Sequence, residues 1–157
     1  MSGQQKKARL ALANRLDERT CQSKDQISST NSTKGVIENH IRSLRERNLA
    51  AVVDDFAPDA VLFTPSGILR GRSQIKALFE GLLEEFGKPA ASETLHTANF
   101  EGEHAHLIWS GETANNRYEF ATDTFLVRNG KIVAQSFAAK ITPKYKATLH
   151  LVPILFD

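Results

Sequence analysis

The residues that can do chemistry are few. Asp123 lies in the stretch Tyr118–Arg128, where Ala121, Phe125 and Val127 alternate with it. In a strand that spacing puts its carboxyl on one face with three apolar side chains. If that face is inward and holds no cation, the charged carboxylate is disfavoured and the proton is held more tightly. Such an acid donates a hydrogen bond or relays a proton near neutrality. The competing reading is an Asp that holds a loop amide or pairs with an Arg of a neighbouring strand. His40 falls inside an apolar stripe with Ile37, Ile41 and Leu44. It is either a core histidine satisfied by its neighbours or, because imidazole gives and takes protons near neutral pH, an acid/base partner for Asp123. His104 and His106 stand two apart and share a face, a spacing open to a metal, with His96 on the preceding stretch. No Asp or Glu is fixed beside them by spacing, and no metal site is expected. His106, alternating with Ile108 and Ser110, is read instead as reaching the interior and assisting Asp123. Thr64 offers a hydroxyl that either orients a ligand or simply ends a strand.

Periodicity shows which elements must position these groups. Val36, Ile37, His40, Ile41 and Leu44 recur at helical spacing and predict a helix over about 34–47. Asn48 suits the N-cap of a short second helix carrying Leu49, Val52, Val53 and Phe56, which Pro58 ends. Ala60–Thr64 predicts a strand closed by Pro65-Ser66-Gly67. Ser73 is expected to cap a third helix whose stripe runs from Ile75 to Phe86, with Gly87 and Pro89 as its stop. The pattern then turns to strands: Leu95–Glu101, Ala105–Thr113, Tyr118–Arg128 and Lys131–Ile141, with tips at Gly102-Glu103, Asn115-Asn116 and Asn129-Gly130. Asn129-Gly130 is the strongest turn signal, since a type I′ turn needs positive φ at both central positions. Helices with one apolar face followed by antiparallel strands predict an α+β domain.

Composition bounds the rest. The chain has 157 residues, 41% hydrophobic and 24% charged, which suits one domain. A net charge of +2 hides an asymmetry: residues 1–50 hold ten Lys/Arg against five Asp/Glu, so residues 51–157 carry −3. No nucleic-acid surface is expected from that balance. No run of about 18 apolar residues occurs, so no membrane span is expected. The single cysteine, Cys21, excludes an intrachain disulfide framework. Residues 1–32 read as a flexible basic and polar extension, 33–142 as the domain, and 143–157 as an apolar tail with Pro153 inside Leu149–Phe156. With no export signal, a cytoplasmic location is the default. No P-loop, dinucleotide fingerprint or nucleophile elbow occurs, and no cofactor is expected.

Several of these segments together resemble a known superfamily. Val36 to Leu44, then Asn48-Leu49 to Phe56-Ala57-Pro58-Asp59-Ala60, then Phe63-Thr64-Pro65-Ser66-Gly67 and Arg70-Gly71, and finally Asp123 to Val133, are similar to the nuclear transport factor 2-like superfamily, in its SnoaL-like and ketosteroid-isomerase-like branch. The resemblance covers about residues 34–142 and implies a cone-shaped roll, three helices on a curved, mostly antiparallel sheet enclosing a pocket. It implies apolar walls that include Phe56, Phe63, Phe79, Trp109, Phe125 and Phe137, aromatics that ordinary core packing also accounts for. It lays Asp123 on or near the strand position of an acid/base Asp, and His40 on the isomerases' oxyanion-binding position. In the ketosteroid isomerases an apolar site keeps a carboxylic acid neutral so that it can donate a hydrogen bond. The segment that carries the isomerases' general base has Thr64 in its place, and a lone hydroxyl is no base for a carbon acid.

Because this fold hosts many activities, three functions stand open. One is an acid/base isomerase or cyclase acting on a small hydrophobic carbonyl compound, with Asp123, His40 and His106 as its catalytic groups and Thr64 and the aromatics as ligand contacts. The second is a hydrophobic-ligand-binding domain without catalysis. The third is a dimerisation or assembly module. A homodimer through the outer sheet face is expected under all three.

Overall fold

The computed structural model describes residues 31–144. Residues 1–30 of the basic and polar extension, Cys21 among them, and the apolar tail Leu149–Phe156 lie outside the described residues.

Helix α1 spans Thr33–Arg45 and buries Val36, Ile37, His40 and Ser43, while Ser32 caps it by accepting from the Gly35 amide at 3.1 Å. It stops short of residue 47 because Arg47 adopts a left-handed φ of 56°. Asn48 caps α2, Leu49–Asp54, through a 3.1 Å bond from the Ala51 amide, as its type suggests. The expected course of α2 to Pro58 is corrected. The Ile132 amide donates to the Asp55 carbonyl at 2.8 Å, and strand β1, Phe56–Thr64, starts at once with Phe56 and Ala57 buried. Pro58 and Asp59 fall in an irregularity of that strand, between the pairs Phe56–Ile132 and Val61–Ala134, where a residue without an N–H is tolerated.

A short strand that the sequence pattern does not announce, β2, Gly67–Arg70, folds back antiparallel on β1. Helix α3 then runs Gly71–Phe86. Ser73 is not its cap: the helix starts two residues earlier, Arg70 is the N-cap residue, and Gln74 Oε1 accepts from the Arg70 amide at 2.8 Å. Gly71 makes this start possible, with φ at 73° and the Pro58 carbonyl 3.2 Å from where a Cβ would stand.

Strands β3 (Ser92–Glu101), β4 (His104–Glu112), β5 (Asn116–Arg128) and β6 (Lys131–Pro143) form the antiparallel meander, and β1 joins β6 in parallel, giving the order β2-β1-β6-β5-β4-β3. Asn129 and Gly130 both have positive φ, 51° and 72°, as the β5–β6 hairpin requires. Register shifts in every pair of the meander, at Leu95/Thr97, Trp109/Gly111, Tyr118/Phe120 and Leu126/Val127, bend the long strands. The resulting curved sheet receives the helices on one face. The core between them holds Ile37, Val52, Phe56, Leu62, Ile75 and Ile132, all fully buried. Among the described residues no helix is long and apolar enough to cross a membrane, a statement that does not extend to β-barrels.

Candidate functional site

Between the helices and the inner sheet face lies a cavity of about 130 Å³. Helix α1 contributes His40, Ile41 and Leu44, and α3 contributes Leu78, Phe79, Leu82, Leu83 and Phe86. From the inner sheet face come Leu95, Leu107, Trp109, Asp123, Phe125, Gln135 and Phe137. Arg45 and Glu93, joined by a 2.7 Å ion pair, are further charged members of the wall. For scale, an apolar protein cavity of about 150 Å³ accepts benzene.

Asp123 is the polar centre of the sheet wall. Its register partners are Leu107 on β4 and Phe137 on β6, so Trp109 and Gln135 each stand two residues along from a direct neighbour. Those diagonal positions lie within reach of long side chains. Trp109 Nε1 donates to Asp123 Oδ2 at 2.8 Å, and Gln135 Nε2 donates to Oδ1 at 2.7 Å. Burial raises the Asp123 pKa, and it outweighs the lowering by those two hydrogen bonds and by the nearby His40 and His106. The Trp109 ring is fixed by stacking on Tyr118, 5.6 Å between centroids, and on Phe137, at 6.4 Å.

His40 faces the sheet from α1 and is 1% exposed. The rings of Phe56, Phe79 and Phe125 meet it edge-on at 5.4, 5.5 and 5.9 Å. Its Nδ1 lies 3.2 Å from Asp55 Oδ2, while Asn39 Nδ2 donates to the other carboxylate oxygen at 2.8 Å. A carboxylate only accepts, so this contact assigns a proton to Nδ1. Nε2 then carries the lone pair in the neutral ring, and it is buried without a protein partner.

The structure therefore brings together His40, Asp123, Phe79, Trp109, Phe125 and Phe137 of the residues singled out from sequence. Phe56 packs beneath, against His40 and Phe79, and is fully buried in the core rather than part of the wall. Three expected members lie elsewhere. Phe63 pairs with Ser136 on the outer sheet face and is 45% exposed. Thr64 closes the β1–β2 turn, accepting from the Ser66 amide at 3.2 Å and donating to the Gly67 carbonyl at 3.0 Å. His106 also faces outward, because Leu107 and Trp109 take the inner positions of β4. Its Nδ1 is 2.9 Å from Thr124 Oγ1 and its Nε2 is 3.4 Å from Thr122 Oγ1. Among the described residues no three His, Cys, Asp or Glu side chains are grouped to hold a metal.

Sequence reasoning missed Gln135, Asp55 and the anchor of the wall at Glu85. Gln135 shares strand parity with Phe137, a signal that was there to be used. Glu85 accepts from Thr113 Oγ1 at 2.8 Å, Asn116 Nδ2 at 2.7 Å and the Tyr118 hydroxyl at 2.9 Å. These bonds tie the end of α3, and with it Phe86, to the β4–β5 connection.

The architecture is that of the nuclear transport factor 2-like class. An NTF2-like protein of unknown function from Cytophaga hutchinsonii superposes with a TM-score of 0.59 at 16% identity, over 69% of this chain and 90% of that one. A putative ketosteroid isomerase from Kribbella flavida gives 0.58 at 14% identity, over 80% and 90%. The epoxide hydrolase/cyclase-like enzyme SalBIII, with a role in pyran ring formation in the polyether salinomycin, gives 0.60 at 16%, over 69% and 90%. At such identities the likeness is one of fold. The SnoaL-like domain model matches residues 37–135, and the chain belongs to that family. No curated protein matches the sequence.

Proposed function

We propose that the protein is a proton-transfer enzyme, an isomerase or cyclase that works without a cofactor on a small hydrophobic carbonyl compound. One observation carries the reading: a buried carboxyl with a raised pKa and a buried imidazole with an unpartnered nitrogen line the same apolar cavity. In the proposed step His40 Nε2 takes a proton from the carbon beside the carbonyl. The C–H electron pair moves into the new C=C bond, and the carbonyl π pair moves onto oxygen. Protonated Asp123 gives that oxygen its hydrogen bond or its proton. In a β,γ-unsaturated compound, return of the proton from His40 to the γ carbon and of the enol proton to Asp123 completes an isomerisation. Attack of the enol carbon on a second carbonyl of the same molecule, with His40 giving its proton to the new alkoxide and the enol oxygen returning its proton to Asp123, completes a cyclisation. The fold-level likeness to an epoxide hydrolase/cyclase-like enzyme and to a putative ketosteroid isomerase supports this class of reaction.

The test is exchange of α-protons in D2O, followed by proton NMR, for a panel of small cyclic ketones and enones with and without a hydroxyl group. The expected result is exchange at least about 100-fold above buffer for one or more compounds, falling by about 10²–10⁴ in both His40→Gln and Asp123→Asn. Compounds that bind the pocket yet exchange no faster than in buffer would overturn the proposal.

A binding domain without catalysis is the second reading. The observation favouring it is Thr64: the segment that carries the isomerases' base is spent here on a turn outside the cavity. The proposed partner is in either case a small hydrophobic ligand. A homodimer through the outer sheet face, where Phe63, Ile68 and Phe120 are 45–50% exposed, belongs to the same proposal.

A further inference from the structure

Two side-chain atoms among the described residues are buried without any hydrogen-bond partner: His40 Nε2 and Gln135 Oε1. The residues that carry them, 1% and 5% exposed, both belong to the walls of the same apolar cavity. Coincidence of the two in one place is informative, because buried polar atoms in folded proteins are nearly always paired. Each is left over for a definite reason. Asp55 occupies Nδ1 of His40, and Asp123 occupies the amide nitrogen of Gln135. With the His40 ring neutral, what remains in each case is an acceptor: a lone pair on imidazole and a carbonyl oxygen on the amide.

We propose that the pocket recognises a compact, largely apolar ring compound through a hydroxyl that donates to one of these two acceptors, so that the substrate class is hydroxylated rather than a bare ketone or hydrocarbon. This deepens the proposed function and rests on it for the word substrate, though the binding preference stands on the two acceptors alone. The cavity volume of about 130 Å³ sets the size of the buried part at roughly one six-membered ring. The residues around the two acceptors are aromatic and aliphatic, so the rest of the ring meets Phe79, Leu82, Phe125 and Phe137. A site that holds unpaired acceptors rejects a ligand that cannot donate, because binding then strips those atoms of water and gives nothing in return.

Calorimetric titration with phenol, anisole and toluene tests this. The three share a ring, and only phenol donates. None has a hydrogen alpha to a carbonyl, so the result is independent of turnover. Phenol is expected to bind at least about tenfold more tightly than anisole or toluene. At least one of Gln135→Leu and His40→Phe is expected to shrink that preference to about threefold or less while toluene still binds, which also reports an intact pocket. Equal affinities of the three in the wild-type protein would overturn the inference, the acceptors then being served by a bridging water. So would a preference for phenol that survives in both variants. Binding of phenol with this preference, alongside no α-proton exchange on any hydroxylated ketone, would uphold the inference and overturn the enzymatic reading. Absence of binding by all three would overturn the pocket itself and both proposals with it.

Discussion

Asp55→Asn is the substitution that most directly tests how His40 is set for chemistry. The Asp55 carboxylate accepts twice, from His40 Nδ1 at 3.2 Å and from Asn39 Nδ2 at 2.8 Å. The introduced amide has nearly the same shape but one accepting oxygen, so one of the two donors loses its partner. A hydrogen bond to a charged group contributes about 1.5–3 kcal/mol, and His40 is too deeply buried for solvent to replace it. The 3.2 Å length places this one near the lower end, about 1.5–2 kcal/mol. With a urea dependence of ~1–2 kcal/mol per molar, the unfolding midpoint should fall by roughly 1–2 M. The ring has one way to avoid that loss. It can move its proton to Nε2 and accept from the introduced amide on Nδ1, which saves stability but removes the lone pair from the cavity. Nitrogen-15 NMR of the imidazole distinguishes the two tautomers, with Nδ1–H expected in the wild type. In serine proteases, changing the carboxylate that orients the catalytic histidine to an amide imposes the wrong tautomer and costs about 10⁴ in rate. Here α-proton exchange should fall by about 10²–10⁴ on the same grounds. An unchanged urea midpoint together with an unchanged tautomer would refute the reasoning.

Two further predictions concern pH and the wall anchor. Burial raises the Asp123 pKa, so the native state holds that proton more tightly than the unfolded chain. The contribution of this group to stability therefore declines as pH rises from the ordinary carboxylate value of about 4 through its raised native value, and it stays low above that. In urea melts between pH 4 and 8, the stability of Asp123→Asn relative to wild type should improve with rising pH; a relative stability that worsens would refute the assignment. Burial also pushes the Glu85 pKa up, but hydrogen bonds from Asn116, Thr113 and Tyr118 and the charge of Lys88 more than offset it, leaving it lowered. Its contribution is then present above the ordinary Glu value and is lost as pH falls through the native one. Glu85→Gln should cost about 1–3 kcal/mol at pH 7 and less in acid, read by urea unfolding, because it weakens three bonds whose donors include the buried Thr113 and Tyr118. Identical midpoints at pH 7 would count against the anchor.

The fold was legible where local chemistry decides it. Asn48 and Asn129-Gly130 act within a few residues of themselves, and the structure uses both as their types suggest. Errors arose where a distant group decides. Nothing near Phe56 announces that the Ile132 amide will take the Asp55 carbonyl and convert the end of a helix into a strand. Ser73 has the chemistry of a cap, but the tight start at Gly71 against the Pro58 carbonyl moves the helix two residues earlier. The site followed the same division. That Asp123 and Phe125 share a face of β5 could be read from their spacing, whereas its inward direction is set by the helices that pack on it. His106 could have been corrected from sequence alone, since residues three apart on a strand take opposite faces, and Trp109 cannot point inward with it.

Least legible of all was the balance of donors and acceptors inside the pocket. A sequence gives residue types, and each of Asp55, His40, Asp123 and Gln135 has more than one way to be satisfied. Only the pairing fixes what is left. Asp55 and Asn39 settle one side of His40; Trp109 and Gln135 settle both oxygens of Asp123. These donors at the polar centre are thereby spent, and among the described residues two acceptors remain. The missing donors must come from outside the described residues or from a proton on Asp123. Burial favours that proton, since it raises the pKa of the carboxyl in the middle of the group. Both oxygens of Asp123 already accept a hydrogen bond, so its raised pKa comes from burial, and the unpaired atoms are a second consequence of the same dry site. Under the proposed function, a ligand hydroxyl would donate to one of these atoms, and a carbonyl beside that hydroxyl would accept the Asp123 proton.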